Sequence, residues 1–496
     1  MDVMGILSYG IGTLVGFAVL VGIAFLFISD ITQKKHGVLR NYPVVGHLRY
    51  FFEQLGEYFR QYFFAGDRDE MPFNRATRGW VYRLAKNEGG VIGFGSTYDL
   101  HQSGALVFVN HPFPVLEEER LPTPSCTLGE GYAKQPFEAR SIVNISGMSF
   151  GAISAPAVRS LSRGAAVAGC WMDTGEGGLS PFHLEGGCDV IMQIGTAKYG
   201  VRDAQGNLSA DRLVELAKVV KAFEIKLSQG AKPGKGGVLP ARKVTAEIAQ
   251  IRGIPEGRDS ISPNRHRDIS NINELLDKIA WIRDLTGRPV GVKTAIGGWR
   301  FMNELGDAVH RRGLEYAPDF LAIDGGEGGS GAAPQALADH MSLSIDEALP
   351  RVVDSLIESG LRQRIRVIAA GKIVTSARAA WALAAGADFV NTARGFMFAL
   401  GCIQALRCHQ NTCPTGVTTH NKRLQRALVV EEKYLRVANY CNGMNREVDM
   451  IAHSCGVRHA RELRREHVRI VQANQQSIAF NMLYPYPEPK ARARAA

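Results

Sequence analysis

The sequence predicts an α/β chain: a (β/α)8 TIM barrel preceded by one N-terminal transmembrane helix. Three observations predict it. Residues 3–29 carry no charged side chain, eight short apolar runs alternate with helical stretches beyond residue 140, and nearly every run ends in a polar residue. Near-continuous apolar strands belong to parallel sheets covered on both faces. Eight such units, each leading into a helix, favour a closed barrel over a doubly wound open sheet.

The first element is "VMGILSYGIGTLVGFAVLVGIAFLFIS". About 20 apolar residues already cross a bilayer core of roughly 30 Å, so residues 1–30 read as an anchor. A cleaved signal would need a basic leader and a shorter apolar core, but only Asp2 precedes this long run. Lys34, Lys35 and Arg40 follow it. The positive-inside rule then places the rest of the chain on the cytoplasmic side of the inner membrane. That compartment is reducing, so the eight cysteines are free thiols or ligands rather than a disulfide framework.

Residues 31–135 form an aromatic, charged arm. "RYFFEQLGEYFRQYFF" (49–64) has helical spacing and reads as an amphipathic helix, packed on the main domain or lying on the membrane. "HPFPVLEEERLPTPS" (111–125) is a Pro-rich connection.

The barrel is expected over 136–420. Its strands are read at 141–148, 170–175, 190–195, 222–228, 289–295, 320–326, 365–371 and 389–395. Barrel active sites form at the carboxyl ends of the strands. Ser149, Glu176, Gln193, Lys226, Lys293, Asp324, Lys372 and Arg394 fall there. The connection after the fourth strand, about 229–268, is long enough to read as an active-site loop. Residues 421–496 are a helical extension with a basic tail, "KARARAA". The net charge of +10 suits solubility and attraction to an anionic inner leaflet. No helix-turn-helix, zinc-finger or RNP-like motif accompanies it, which excludes nucleic acid as a partner.

Several motifs carry chemistry. "DGGEGGSG" (324–331) contains G-x-G-x-x-G, but after the sixth strand and not the first, so it is no dinucleotide fingerprint. Its glycines suit close backbone approach to a flat or phosphorylated ligand. "IAAGK" and "NTARG" end strands seven and eight, where barrels commonly bind phosphate. Lys293 inside a buried strand calls for an anion or an electron-rich flavin ring, because Lys is rarely buried unpaired.

Finally, Cys402, Cys408 and Cys413 are spaced C-x5-C-x4-C, with Pro414 following. A Cys-Pro closing a cysteine motif is a ferredoxin habit, and three thiolates match the three irons of a [3Fe–4S] cluster. Structural zinc would want a fourth ligand and tighter spacing, and His409 adjoins Cys408 but points away as an immediate neighbour. Plain core thiols are the other alternative; the remaining five cysteines default to packing.

With these residues in view, the chain resembles the flavin-binding synthase domain of glutamate synthase. The resemblance rests on "GMSFGAIS" (147–154), "DTGEGG" (173–178), "EIKLSQGAKPGKGG" (224–237), "ISPNRHRDI" (261–269), "DGGEGGSGAAP" (324–334) and "ALGCIQALRCHQNTCPTGVTT" (399–419). It implies FMN on the barrel's C-terminal face beside a [3Fe–4S] cluster on the three cysteines, and reduction of 2-iminoglutarate to glutamate. Met148, Ser149, Gln193, Lys293, Gly325, Gly326, Gly371, Lys372 and Arg394 match the family's flavin site. Glu176, Lys226, Gln229, Lys232 and Arg252 match the site for 2-oxoglutarate. Two positions depart from the family's pattern: Lys235 stands where Glu is common, and Val238 where an amide is expected. No cysteine precedes Cys126 to serve as a glutaminase nucleophile, and no NAD(P)H-binding domain is legible. Ammonia and electrons are therefore expected from solution or from partners: a separate glutaminase, and a ferredoxin or NAD(P)H-dependent reductase. The alternatives are a related flavoenzyme using another amine or oxo acid, such as an N-alkylglutamate synthase, and a non-catalytic electron-transfer component of a membrane complex.

Overall fold

Eight parallel strands close on themselves in the computed structural model, which describes residues 3–488. The basic tail from Lys490 lies outside the described residues. The chain divides into two compact units, Met1–Ala76 and Thr77–Ala496.

In the first unit, one helix covers Val3–Thr32, and its Gly10–Thr32 portion is long and apolar enough to cross a membrane. A short helix, Gly37–Asn41, and a longer one, Gly46–Phe59, follow. The last continues as a single π turn, Arg60–Phe64.

The second unit holds the barrel. Its strands are β1 (Val143–Ile145), β2 (Met172–Asp173), β3 (Val190–Ile194), β4 (Ala222–Lys226), β5 (Val290–Thr294), β6 (Phe320–Asp324), β7 (Arg366–Ala370) and β8 (Phe389–Thr392). Each pairs with the next, and β8 closes on β1 with Val390 opposite Val143. All eight expected runs carry a strand. Every strand is shorter than the run that announced it, the first two most of all. Asn144 donates to the carbonyls of Ser141 and Ile142 (3.0 and 3.2 Å) and accepts the Trp171 N–H (3.1 Å).

The outer helices start and stop on local signals. Ser154 accepts from the Ala157 N–H at the head of Ala155–Ala168, and Gly169 ends that helix in the left-handed region. Asn271 and Gly287 do the same for Ile272–Thr286. A 25-residue helix, Val430–Ser454, lies against Ala155–Ala168. Gly164 permits the approach, since a Cβ there would meet Val437 Cβ at 2.5 Å.

Barrel interior rows alternate along each strand, and their lower members are apolar. Trp171, Ile191, Ala222, Phe320, Ile368 and Phe389 pack together there. A hairpin, Cys126–Leu128 with Phe137–Ala139, seals that end through Leu128 and Phe137. Farther out, Leu106–Phe108 pairs with Val468–Val471, a contact the sequence did not announce.

Candidate active site

The polar ends of the strands converge on the opposite end of the barrel. Glu176, in the turn after β2, forms ion pairs with Lys226 at the end of β4 (3.1 Å) and Lys232 in the loop beyond (3.7 Å). All three side chains are largely buried. Burial opposes ionisation of Glu176, but Lys226 and Lys232 outweigh it and hold the carboxyl at about 2. Burial depresses Lys232 below the usual ammonium range, opposed by Glu176. Lys226 also donates to Gln229 Oε1 (3.0 Å), whose amide nitrogen in turn donates to the Gly329 carbonyl. His266, buried, bonds the Lys226 carbonyl through Nε2 (2.9 Å) and so fixes the start of the loop.

One layer down lies a network in which sequence reasoning anticipated only Gln193, Lys293 and Asp324. The Gln193 amide donates to Glu224 Oε1 (2.6 Å) and Asp173 Oδ2 (3.2 Å). Asp173 also accepts the Gly175 N–H (2.8 Å). Burial raises Asp173, and burial together with the neighbouring Asp173 raises Glu224 to about 8. Burial would depress Lys293, but Asp324, Glu224 and Asp173 raise it above the ordinary lysine value. Lys293 Nζ reaches Ser146 Oγ at 3.4 Å. The signal for Asp173 and Glu224 was available: each lies two residues beyond a core residue, Trp171 and Ala222, on the same interior row.

The glycines hold loops against one another. Gly230 donates its N–H to Asp324 (2.8 Å) and lies so close to the Gly325 carbonyl that any Cβ would overlap it. Gly371 has φ 115°, and a Cβ there would sit 2.8 Å from the Gly325 nitrogen. Gly326 is equally crowded, by Met341 and Ser342 carbonyls. Lys372 and Arg394 follow β7 and β8; burial lowers both, and Arg394 donates to the Glu327 carbonyl (2.6 Å). Met148 is buried, its N–H bonded to Asp173 O (3.3 Å), and Ser149 is half-buried beside it. Asn391 Oδ1, at the end of β8, is buried without a hydrogen-bond partner among the described residues.

Arg252 closes the helix Ala246–Arg252 within the long loop. Its guanidinium donates to Ser260 Oγ (3.2 Å) and the Phe150 carbonyl (3.3 Å) and lies over the Tyr199 ring. Lys235 and Val238 are exposed, and Val238 pairs through its backbone with Ile261. A cavity of about 630 Å³ opens beside Ser262, Pro263, Asn264 and Arg267 of the same loop.

Cys402, Cys408 and Cys413 share the loop after the helix Arg394–Leu400. Burial pushes Cys402 up to about 12 and raises Cys408. Cys413 is lowered: burial opposes, and the Thr415 hydroxyl (3.5 Å) outweighs it. No three His, Cys, Asp or Glu side chains among the described residues converge on one metal position. Around the loop, Lys243, buried and unforeseen, donates to the carbonyls of Ala152 (2.6 Å) and Cys408 (3.3 Å). Arg242 bonds the His409 carbonyl (3.0 Å), and Tyr82 bonds that of Cys402 (2.6 Å). The cysteine loop is thus tied to the loops after β1 and β4.

A family model described as a conserved region in glutamate synthase matches residues 117–458. The chain is 39% identical to the glutamate synthase large subunit-like protein YerD of Bacillus subtilis over 486 residues, 90% of this chain and 92% of that one. It is 36% identical to the archaeal glutamate synthase [NADPH] of Methanocaldococcus jannaschii over 346 residues, 68% of this chain and 63% of that one. The chain therefore spans less than two thirds of the archaeal enzyme. Among solved structures, a lactate oxidase of Pediococcus acidilactici superposes with a TM-score of 0.44 at 14% identity, over 86% of this chain and 94% of that one.

Proposed function

The chain belongs to the glutamate synthase family of oxidoreductases, and from that premise we propose that it reductively aminates a dicarboxylic 2-oxo acid, 2-oxoglutarate, on an FMN- and [3Fe–4S]-containing barrel tethered to the inner membrane. The observation that carries the reading is the Lys226–Glu176–Lys232 cluster above buried Lys293. Two ammonium groups held by one ionised carboxylate suit a small dianion, because charge-assisted contacts are the strong ones.

The residues present fit FMN. Lys372, Arg394 and the crowded glycines at 325, 326 and 371 suit a phosphate and a flat ring approached closely by backbone. Lys293, Gln193 and the unsatisfied Asn391 Oδ1 suit the polar edge of that ring. The cysteine loop fits a [3Fe–4S] cluster in the chemistry of its donors, three thiols with Lys243 close by. Bound there, the cluster would supply single-electron transfer and the flavin hydride chemistry.

The chain's own residues bind and orient. Ammonia and the oxo acid condense to an imine with loss of water, and two electrons and two protons then give the amino acid. Lys226 and Lys232 hold the substrate carboxylates, Gln229 holds Lys226 in place, and Arg252 adds positive potential from beneath the loop. Close backbone approach at Gly230 and Gly371 holds the loops after β4 and β7 against the loop after β6. Ammonia and electrons come from partners: a glutaminase, and a ferredoxin or NAD(P)H-dependent reductase. The Gly10–Thr32 helix spans the membrane, with Lys34, Lys35 and Arg40 on the cytoplasmic side.

The test is reoxidation of the photoreduced flavin by 2-oxoglutarate with ammonium, with methylamine, or alone. Reoxidation with ammonium supports the reading. Reoxidation only with methylamine favours an N-alkylglutamate synthase, the reading that exposed Lys235 and Val238 leave room for. No reoxidation by any pair defeats both and leaves an electron-transfer component. Cys408→Ser should abolish the iron signal while flavin stays bound; unchanged iron would make the thiols structural.

A further inference from the structure

The helix Gly46–Phe59 and its π-turn continuation, Arg60–Phe64, carry an apolar face that no described residue of their own unit covers. Leu48, Phe51, Phe52, Phe59, Tyr62 and Phe63 recur at spacings of three, four and seven, and therefore share one side of the helix. Phe52 is 62% exposed and Phe63 73%, and the neighbours within the stripe touch chiefly each other, Phe51 on Phe52 and Phe59 on Phe63. Arg49, Glu53, Glu57 and Arg60 occupy the other side. An apolar stripe of this size is an interaction surface.

What covers it follows from how the helix is attached. Asp30, in the last turn of the apolar N-terminal helix, is only 3% exposed. Its carboxylate accepts the Val44 N–H (2.8 Å) and bonds His47 Nε2 (2.9 Å), at the head of the aromatic helix. Gln33 locks the intervening turn: its oxygen accepts the N–H groups of Lys35 and His36 (2.8 Å each), and its amide donates to the carbonyls of Asp30 (3.0 Å) and His36 (2.8 Å). Gly46 packs on Leu39, where a Cβ would meet Leu39 Cδ2 at 3.0 Å. The first turn of the aromatic helix is thus fixed beside the residues where the span Gly10–Thr32 ends.

We propose that residues 46–64 form an interfacial helix, lying in the headgroup–acyl boundary of the lipid bilayer with the aromatic stripe toward the acyl chains. The inference rests on reading Gly10–Thr32 as a membrane span, and goes beyond it by assigning a second lipid-binding element. Amphipathic aromatic rings favour that depth, and a surface helix buries its apolar face about 5–10 Å into the boundary. Lys34, Lys35 and Arg40, exposed between the two helices, lie at the level of the lipid phosphates.

The test uses the full chain in vesicles of phosphatidylcholine with a minority of phosphatidylglycerol. A fluorescent non-canonical amino acid is placed singly at Phe52, Phe63, Glu53 or Leu20. Lipids brominated just below the headgroup should quench the probe at Phe52 and Phe63, and aqueous iodide should quench it at Glu53. Quenching by iodide at Phe52 and Phe63 as strong as at Glu53 would overturn the proposal. So would protection of both from either quencher, which would mean that a second copy or another protein surface covers the stripe. The Leu20 probe separates the two readings. Deep-brominated lipid quenching at Leu20, with iodide quenching at Phe52 and Phe63, defeats the interfacial helix and keeps the span. Iodide quenching at Leu20 defeats both.

Discussion

The two ends of the barrel interior are built from the same strands and differ in almost every physical respect. Along five interior rows, one step of two residues changes the chemistry: Trp171 to Asp173, Ile191 to Gln193, Ala222 to Glu224, Gly291 to Lys293, Ala322 to Asp324. That step is only about 6.6 Å of strand. Below it, aromatic rings meet edge to face, with Trp171 and Phe389 at 4.8 Å between centroids. Above it, carboxyls and an ammonium share a small buried space with one amide between them. The dry layer stabilises closure of the barrel, so the polar layer can keep buried charges that would not support a fold by themselves.

The sharpest way to break the contrast is to remove one group from each layer. Trp171→Ala should cost about 3–5 kcal/mol of stability, since it empties a fully packed site at the barrel's foot. Urea unfolding followed by circular dichroism in detergent measures it, and a loss below 1 kcal/mol, roughly, would mean that the lower layer can collapse around the gap. Lys226→Met should lower stability by less than Trp171→Ala, because Lys232 still faces the buried Glu176 carboxylate, but should lower kcat/KM for the oxo acid by roughly 2–3 kcal/mol, some 30–150-fold. Equal effects of Lys226→Met on stability and turnover would erase the distinction between the layers.

How much of this was legible without coordinates differs between the same two layers. The strands were legible because each is a short apolar run that stops at a turn, and this is a local signal. The uppermost residues were legible because they end those runs: Glu176, Lys226 and Lys372 each sit where the apolar pattern breaks. Asp173 and Glu224 were legible only as interior-row positions, two residues beyond Trp171 and Ala222; the partners they would meet were not. Their importance arises from the stagger that brings β2, β3 and β4 to one height, so that a single Gln193 amide serves both. Lys243 was hidden for a similar reason. Its partners, Ala152 and Cys408, are 91 and 165 residues away in sequence, and a lysine in a long polar loop looks solvated until the loop is folded. The pairing of Leu106–Phe108 with Val468–Val471 is more distant still, and neither piece shows a pattern that names the other.

The polar layer should also declare itself in the pH dependence of stability. Burial holds the Glu224 carboxyl up at about 8, against an ordinary value of 4.5. Below pH 4.5 both folded and unfolded chains carry its proton, and the contribution is fully present. Between 4.5 and about 8 only the folded chain keeps it, so stability falls as pH rises, by at most about 1.4 kcal/mol per pH unit, and levels off above. Glu176, held at about 2, behaves in the opposite sense: its contribution is present above 4.5 and is lost as pH falls toward 2. Glu224→Gln should therefore flatten the decline between pH 4.5 and 8 and leave the acid limb unchanged. A parallel shift of the whole curve, read by calorimetry across pH, would show that Glu224 does not hold the proton.

The smallest expected effect concerns Arg252, which stands between the two kinds of region: placed near the substrate cations, but bonded like a framework residue. Two of its nitrogens serve Ser260 Oγ and the Phe150 carbonyl, its plane lies over Tyr199, and its Nε is buried with no hydrogen-bond partner among the described residues. Arg252→Lys keeps the charge but cannot reproduce the fork, which bonds in two directions at once. If the guanidinium acts on the oxo acid mainly through its charge, the variant should raise KM only a few-fold, roughly 1 kcal/mol, with kcat and flavin content near those of the parent. Arg252→Ala should raise KM further by removing the charge. The outcome that sinks this reading is a variant pair in which Arg252→Lys and Arg252→Ala lower the unfolding temperature together but leave KM where it was. Arg252 would then serve the loop and not the substrate, and the anion site would consist of Lys226 and Lys232 alone.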